Sequence, residues 1–270
     1  MFKVIENQLL APHLHRLVVE APRIASARQA GQFVIVRSGA GGERIPLTIG
    51  DANPSRGSIT LFIQSIGSGT RQIAETEPGS YIQDIAGPLG QPTHLEKWGR
   101  VACVAGGVGT AVLFPLVRAL NQAGNQITSI IGGRSRDFII LEEELARFSD
   151  RVVVNTEDGS YGRQGFVTLE LAEMLEDPSR CPAAVFAVGP VPMMKAVCEL
   201  TRPARIPTIV SLNPIMIDGT GMCGGCRVQI GEQVKFACVD GPEFDGHLVD
   251  FASLMDRLSM YKDHECRLVS

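Results

Sequence analysis

No stretch of this 270-residue sequence approaches the ~20 consecutive apolar residues that a membrane-spanning helix requires, so a helical span is not expected. No basic run is present either. The 25 Lys and Arg stand against 29 Asp and Glu, a formal net charge of −4, which argues against nucleic acid as a partner. The opening MFKVIENQLLAPHLHRLVVE lacks the apolar core and small-residue cleavage site of a secretory leader, and the expected location is the cytoplasm. Internal repeats and low-complexity tracts are absent. So is any Ser–His–Asp or Cys–His constellation; the five histidines are dispersed, and no catalytic acid, base or nucleophile is assigned. The G-x-G-x-x-G fingerprint with its following acidic residue is missing too, which removes the ordinary Rossmann signature.

What the chain does have is a ligand pattern. Asp218-Gly-Thr-Gly-Met-Cys223-Gly-Gly-Cys226, followed by Cys238, reads D-x4-C-x2-C-x11-C. Plant-type [2Fe–2S] sites use C-x4-C-x2-C…C, so cysteine stands at all positions but the first, where there is an aspartate. Glycines between the ligands let a tight loop wrap an inorganic core, because they tolerate positive φ and close approach. Zinc would also accept three thiolates and a carboxylate, although structural zinc sites more often offer paired C-x2-C or mixed Cys and His sets. A redox dithiol would explain Cys223 and Cys226 but not Cys238. Asp218 has an alternative role as a loop cap that accepts backbone N–H bonds. Cys103, Cys181, Cys198 and Cys266 lie among apolar or helical residues and read as small buried hydrophobes. The seven cysteines together fit a reducing compartment better than a disulfide framework.

The rest of the chain divides by rhythm. Up to about Lys97, the β-branched runs FVIVRS, RIPLTIG, SITLFIQSI and YIQDIAG are separated by turn residues, which points to a small antiparallel barrel. From Trp98 onward strands, glycine turns and helices alternate, as in a doubly wound parallel α/β sheet. Pro115 falls inside the first of these helices and is expected to kink it or lie near its first turn. After Asn213 come the cysteine segment, a hairpin turning at Gly231-Glu232, and a tail from about Leu248 to Leu268 that reads as a short helix and loop. The expected boundaries are 1–97, 98–212 and 213–270.

Two glycine-rich turns could hold phosphates. Val104-Ala-Gly106-Gly107-Val108-Gly109-Thr110 joins a strand to a helix, whose N-terminus offers free N–H groups and partial positive charge. Gly189-Pro190-Val-Pro-Met193 also follows an apolar strand. Two such turns in one sheet are what a crevice-bound nucleotide needs. In the barrel half, Arg44-Ile-Pro46-Leu47-Thr48 groups a cation, a rigid turn and a hydroxyl, and Gly67-Ser-Gly69-Thr70 is a second candidate phosphate cradle. In isolation, a surface charge and a plain turn would be the better reading of these last two.

Taken in this order, R-I-P-L-T-I, I-G-S-G-T-R, A-G-G-V-G-T, V-G-P-V-P-M-M and the terminal cysteine module resemble the ferredoxin–NADP reductase superfamily. The likeness is strongest to its flavin-containing electron-transfer subunits that end in a [2Fe–2S] domain. Two groups are near: dihydroorotate dehydrogenase electron-transfer subunits, and the small subunits of NADH-dependent reduced ferredoxin:NADP+ oxidoreductases (the Nfn type, also called sulfide dehydrogenase). The D-G-T-G-M-C-G-G-C-R-V run with aspartate first is similar to the Nfn type, whereas the dihydroorotate group has cysteine there.

The resemblance implies a FAD-binding barrel, an NAD(H)-binding α/β domain and a small [2Fe–2S] module. It implies that Arg44, Pro46, Leu47 and Thr48, with Ile63, Gln64, Gly67, Gly69 and Thr70, form the FAD site. Gly107, Val108, Gly109 and Thr110 would flank the dinucleotide, with Gly189, Pro190 and Met193 closing over the nicotinamide. Asp218, Cys223, Cys226 and Cys238 would hold the cluster. It further implies a large flavin and iron–sulfur partner subunit, similar to the glutamate synthase small subunit. That pair couples NADH and NADP+ to ferredoxin by electron bifurcation, with this chain as the NADH branch. Arg134 and Arg136 sit where NADP-preferring superfamily members place groups near the 2′-phosphate, but the family match favours NAD(H). The competing readings are a dihydroorotate dehydrogenase partner and, in a different class, a zinc-binding module that senses a nucleotide.

Overall fold

A computed structural model describes residues 1–260. The first part of the chain forms β1 (Phe2–Ala11), β2 (Leu14–Glu20), α1 (Pro22–Ala27), β3 (Phe33–Arg37), β4 (Ile45–Asn53), β5 (Ser58–Gln64), α2 (Ser68–Ala74), β6 (Tyr81–Ile82) and β7 (Asp84–Leu89). These strands make one seven-stranded antiparallel sheet, in the order β6-β1-β2-β5-β4-β3-β7, curled into a near-closed barrel. Strand alternation puts Ile59, Leu61 and Ile63 of β5 into its core. β1 and β2 go beyond the four runs singled out in the sequence. Register shifts at Val4/Glu6 and Leu9/Ala11 fall in β1 and interrupt its period-two pattern, whereas β2 pairs with β5 without a shift. The single run YIQDIAG divides into β6, which pairs with β1, and β7, which pairs with β3.

The alternating part forms β8 (Arg100–Gly106), α3 (Gly109–Gln122), β9 (Gln126–Gly133), α4 (Glu142–Ala146), β10 (Arg151–Thr156), β11 (Arg163–Gln164), α5 (Val167–Glu176), β12 (Ala184–Val188), α6 (Val191–Thr201) and β13 (Thr208–Ser211). β8 to β13 pair in parallel, in the order β11-β10-β9-β8-β12-β13. β8 and β12 are buried along nearly their whole length because helices cover both faces of such a sheet. Pro115 lies in the interior of α3, since the helix already begins at Gly109.

Next come β14 (Arg227–Ile230) and β15 (Gln233–Phe236), the expected hairpin, joined through Gly231 at φ 56°. β16 (Glu243–Asp245) then adds antiparallel to β13 at the edge of the α/β sheet, and α7 (Phe251–Ser259) follows. The chain resolves into two compact units. One joins Met1–Pro92 with Asn213–Pro242 and the described residues from Ala252; the other joins Thr93–Leu212 with Glu243–Phe251. Within the first unit, the cysteine segment explains why β3 is apolar on both faces. Val34 and Val36 face the barrel core, while Ile35 on the other face lies so close to Gly219 that a Cβ there would stand 2.8 Å from it.

Cys103 and Cys198 are buried, as expected of small hydrophobes, but Cys181 is partly exposed. Cys266 lies outside the described residues, as does the end of the tail. Among the described residues no helix is long and apolar enough to cross a membrane.

Candidate functional site

In the α/β unit the strand order changes direction between β8 and β12. At such a switch point a crevice opens beyond the carboxyl ends of the strands. The two glycine turns leave those two strands and pack on each other. A side chain at Gly109 would collide with the carbonyl of Val188, and one at Gly189 would stand 2.9 Å from Met193 Cε and 3.0 Å from the Gly106 nitrogen. Close packing therefore demands glycine at 109 and 189. Gly107 is different: it adopts φ 56° and faces open space, so backbone conformation is what selects it. Thr110 is buried and donates its N–H to the Gly107 carbonyl at 3.1 Å. α3 starts after Val108 without a side-chain cap, which leaves a donor-rich N-terminus of the kind that receives a pyrophosphate. Pro190 is exposed and Met193 partly buried at the second turn. These features fit a dinucleotide. At the ends of β9 and β10, the Arg136 guanidinium lies 5.2 Å from the Tyr161 ring centre, and Arg134 is exposed.

In the barrel unit, Pro46, Leu47 and Thr48 pair with Ile35, Val34 and Phe33 in the sheet. Leu47 and Ile63 are buried in the core, so only their backbone could face a ligand, whereas Gln64 at the end of β5 is exposed. Gly67 precedes α2, and Gly69 and Thr70 lie in its first turn. The Thr70 hydroxyl shapes that turn: it accepts the N–H groups of Ile66 (3.1 Å) and Gly67 (2.9 Å) and donates to the Gly67 carbonyl (3.0 Å). A side chain at Gly69 would collide with the Glu43 carboxylate, which lies against this turn, so close packing demands glycine there. The turn lies in the same unit as the strand start of β4. Arg44, at that strand start, reaches the cysteine segment: its Nε donates to the Ile217 carbonyl at 2.7 Å and its Nη2 to the Asp218 carbonyl at 3.2 Å.

The cysteine loop places its four expected ligands in two pairs. Cys226 and Cys238 are buried with their sulfurs 3.1 Å apart. The Ala237 N–H bonded to the Cys226 carbonyl (3.1 Å) draws them together. Burial and the neighbouring Cys226 push the Cys238 thiol up to about 12, so a bound metal core would have to displace its proton. Asp218 Oδ2 accepts the Cys223 N–H at 2.7 Å, and its Oδ1 accepts the Thr220 N–H at 2.7 Å. Those N–H bonds, Thr220 first, hold its carboxyl below the usual carboxylate range. Asp218 thus acts as a loop cap here, and it presents an ionised oxygen ligand beside Cys223. Gly219 and Gly221 adopt φ 77° and 84°, a left-handed path that side chains resist.

Among the described residues, no group of three or more His, Cys, Asp and Glu side chains converges to hold a single metal ion. The candidate ligands share one loop and hairpin, and three thiolates with one carboxylate are a donor set that a two-iron core can take. Sequence reasoning missed two side chains that fix this loop. Arg227 donates to the Gly224 carbonyl (3.1 Å), and Arg257 of α7 donates to the Gly225 carbonyl (2.9 Å). Nothing local marks Arg257, which lies 31 residues after Cys226 in a tail with no motif.

Comparison with known proteins adds to this geometry. Residues 213–250 match the iron–sulfur cluster binding domain of dihydroorotate dehydrogenase B, and residues 103–199 match the oxidoreductase NAD-binding domain. A Thermotoga maritima homologue of the dihydroorotate dehydrogenase B (NAD(+)) electron transfer subunit is 41% identical over 97% of this chain and 92% of that protein. The electron transfer subunit itself from Clostridium perfringens is 32% identical over 92% of this chain and 97% of its own length. A chain from the NADH-dependent reduced ferredoxin-NADP oxidoreductase structure, solved for insight into flavin-based electron bifurcation, is 39% identical. It superimposes with a TM-score of 0.93 over 100% of this chain and 98% of its own.

Proposed function

The chain belongs to the family of dihydroorotate dehydrogenase B electron-transfer subunits and their homologues, and from that premise we propose that it is the NADH branch of an electron-bifurcating ferredoxin:NADP+ oxidoreductase. In this reading it is an oxidoreductase subunit that carries FAD and a [2Fe–2S] cluster and works with NAD(H). The observation that carries the choice within the family is Asp218, an ionised carboxylate paired with Cys223 where the plant-type pattern has cysteine.

Residues 1–97 serve FAD, 98–212 serve NAD(H), and 213–270 serve the cluster. Arg44, Pro46, Leu47 and Thr48, with Ile63, Gln64, Gly67, Gly69 and Thr70, hold the flavin. The turns at Gly107–Thr110 and Gly189–Met193 hold the dinucleotide, with the α3 N-terminus facing its phosphates. Asp218, Cys223, Cys226 and Cys238 hold the iron–sulfur core. When bound, these groups supply hydride exchange between nicotinamide and flavin and one-electron uptake at the cluster. The protein binds and orients them, and needs no acid or base of its own. The large flavin and iron–sulfur subunit completes the enzyme and gives it access to ferredoxin and NADP(H), in the cytoplasm.

The test is the visible spectrum of anaerobically purified protein before and after NADH. Flavin bands and broad iron–sulfur absorption, both bleached by NADH, are expected. A colourless, zinc-containing protein would sink the reading. The second reading, a dihydroorotate dehydrogenase partner, rests on the family match of residues 213–250 and would be recovered by co-purification of an orotate-forming subunit.

A further inference from the structure

Backbone groups of the cysteine segment have two kinds of partner. Four of its N–H groups reach candidate ligand atoms. Thr220 and Cys223 donate to the Asp218 carboxylate at 2.7 Å, Gly225 donates to Cys223 Sγ at 3.4 Å, and Cys238 to Cys226 Sγ at 3.5 Å. Four of its carbonyls are held by guanidinium groups. Ile217 and Asp218 accept from Arg44 (2.7 and 3.2 Å), Gly224 from Arg227 (3.1 Å) and Gly225 from Arg257 (2.9 Å). The arginines come from the start of β4, the end of the loop and α7, so tertiary folding brings Arg44 and Arg257 to the loop beside the local Arg227. All of them lie in the barrel unit.

We propose that Arg44, Arg227 and Arg257 form a cationic clamp that positions this loop and favours the one-electron-reduced state of the cluster it holds. The inference rests on the cluster reading above. Reduction adds one electron to a site already ligated by three thiolates and a carboxylate, with no bond made or broken. Cations close by, and the N–H dipoles on the ligand atoms, stabilise the added negative charge. Guanidinium stays protonated at any working pH and reaches a carbonyl with a fixed fork, so the bias is permanent. Arg257 is partly buried, whereas Arg44 and Arg227 are exposed. Solvent and salt therefore screen Arg257 least, and it makes the largest contribution.

The experiment is an EPR-monitored redox titration of anaerobic full-length protein, with iron and acid-labile sulfide counted per chain, for wild type, Arg257→Gln, Arg227→Gln and Arg257→Lys. Arg257→Gln is expected to shift the one-electron equilibrium about tenfold against reduction, about 59 mV toward negative potential. Arg227→Gln shifts it less in the same direction, and Arg257→Lys restores the native value. EPR reads only chains that hold the cluster, so a variant with partial iron loss still reports. Should Arg257→Gln lose all its iron, the exposed Arg227→Gln decides the question. Unshifted potentials and unchanged g-values in the Gln variants overturn the clamp while leaving the cluster intact. Wild-type protein without iron and sulfide overturns the cluster reading itself.

Discussion

In the α/β unit Arg151, Arg163 and Arg180 gather on one carboxylate, that of Glu170, whose side chain is 4% exposed. In the barrel unit Arg44, Arg227 and Arg257 reach backbone carbonyls of the cysteine loop. The first cluster neutralises a charge that the fold has buried, since an unpaired buried carboxylate is costly. The second fixes the path of the chain around the candidate ligands. Arginine spent on side chains offsets a buried charge; arginine spent on backbone holds a loop in place. Two acids in the same units differ likewise. Burial pushes the Glu243 carboxyl up to about 7 in the α/β unit, against a modest opposing bond from the Thr93 hydroxyl at 2.8 Å. The Asp218 carboxyl is instead held down by N–H donors.

The largest expected break of this contrast is Cys226→Ser. Losing a buried ligand of the close pair should abolish iron–sulfur absorption and iron content, while flavin absorption and NADH-dependent flavin bleaching persist.

A pH series should separate the two acids. The folded-state value of Glu243 is raised, so its contribution is fully present below its unfolded value near 4.5 and is lost as pH rises through about 7. Denaturation of wild type between pH 5 and 8 should therefore show a decline on the order of 2 kcal/mol, which Glu243→Gln flattens. A carboxyl held low acts in the opposite sense: Asp218 contributes above its unfolded value and loses that contribution as pH falls through its depressed folded value.

Arg180→Gln should cost about 1–2 kcal/mol in chemical denaturation by weakening the partners of Glu170. The same change at Arg257 should move the EPR signature far more than the denaturation midpoint. Equal stability losses at both positions would erase the distinction drawn between them.

Glycines sharpen the comparison at the smallest scale. Gly219→Ala meets both a positive φ and the side chains of Ile35 and Leu89 at 2.8 Å, while Gly107→Ala meets the positive φ alone. The first should cost about 2 kcal/mol and the second about 1 kcal/mol by thermal denaturation. NADH titration of Gly107→Ala checks whether a methyl group at the dinucleotide turn weakens binding.

Much was legible without coordinates because its signals are local. Apolar β-branched runs announce β3, β4 and β5, and a strand–glycine–helix rhythm announces the α/β sheet. The ligand spacing likewise puts Asp218, Cys223, Cys226 and Cys238 on one loop and hairpin. Less visible were β2; β1, whose register shifts blur its alternation; and β16, whose three residues carry no period of their own.

By itself, then, the sequence determined the element types, the positions of the two glycine turns and the spacing of the candidate ligands, since these follow from side-chain pattern, backbone freedom and position along one segment. Only the tertiary structure decided that β8 and β12 become neighbours at a switch point, that Asp218 caps the loop it is expected to serve, and that Arg44 and Arg257 meet that loop from opposite ends of the chain. Those outcomes depend on pairings between residues far apart in sequence, where burial and hydrogen bonding select a partner that no local pattern names.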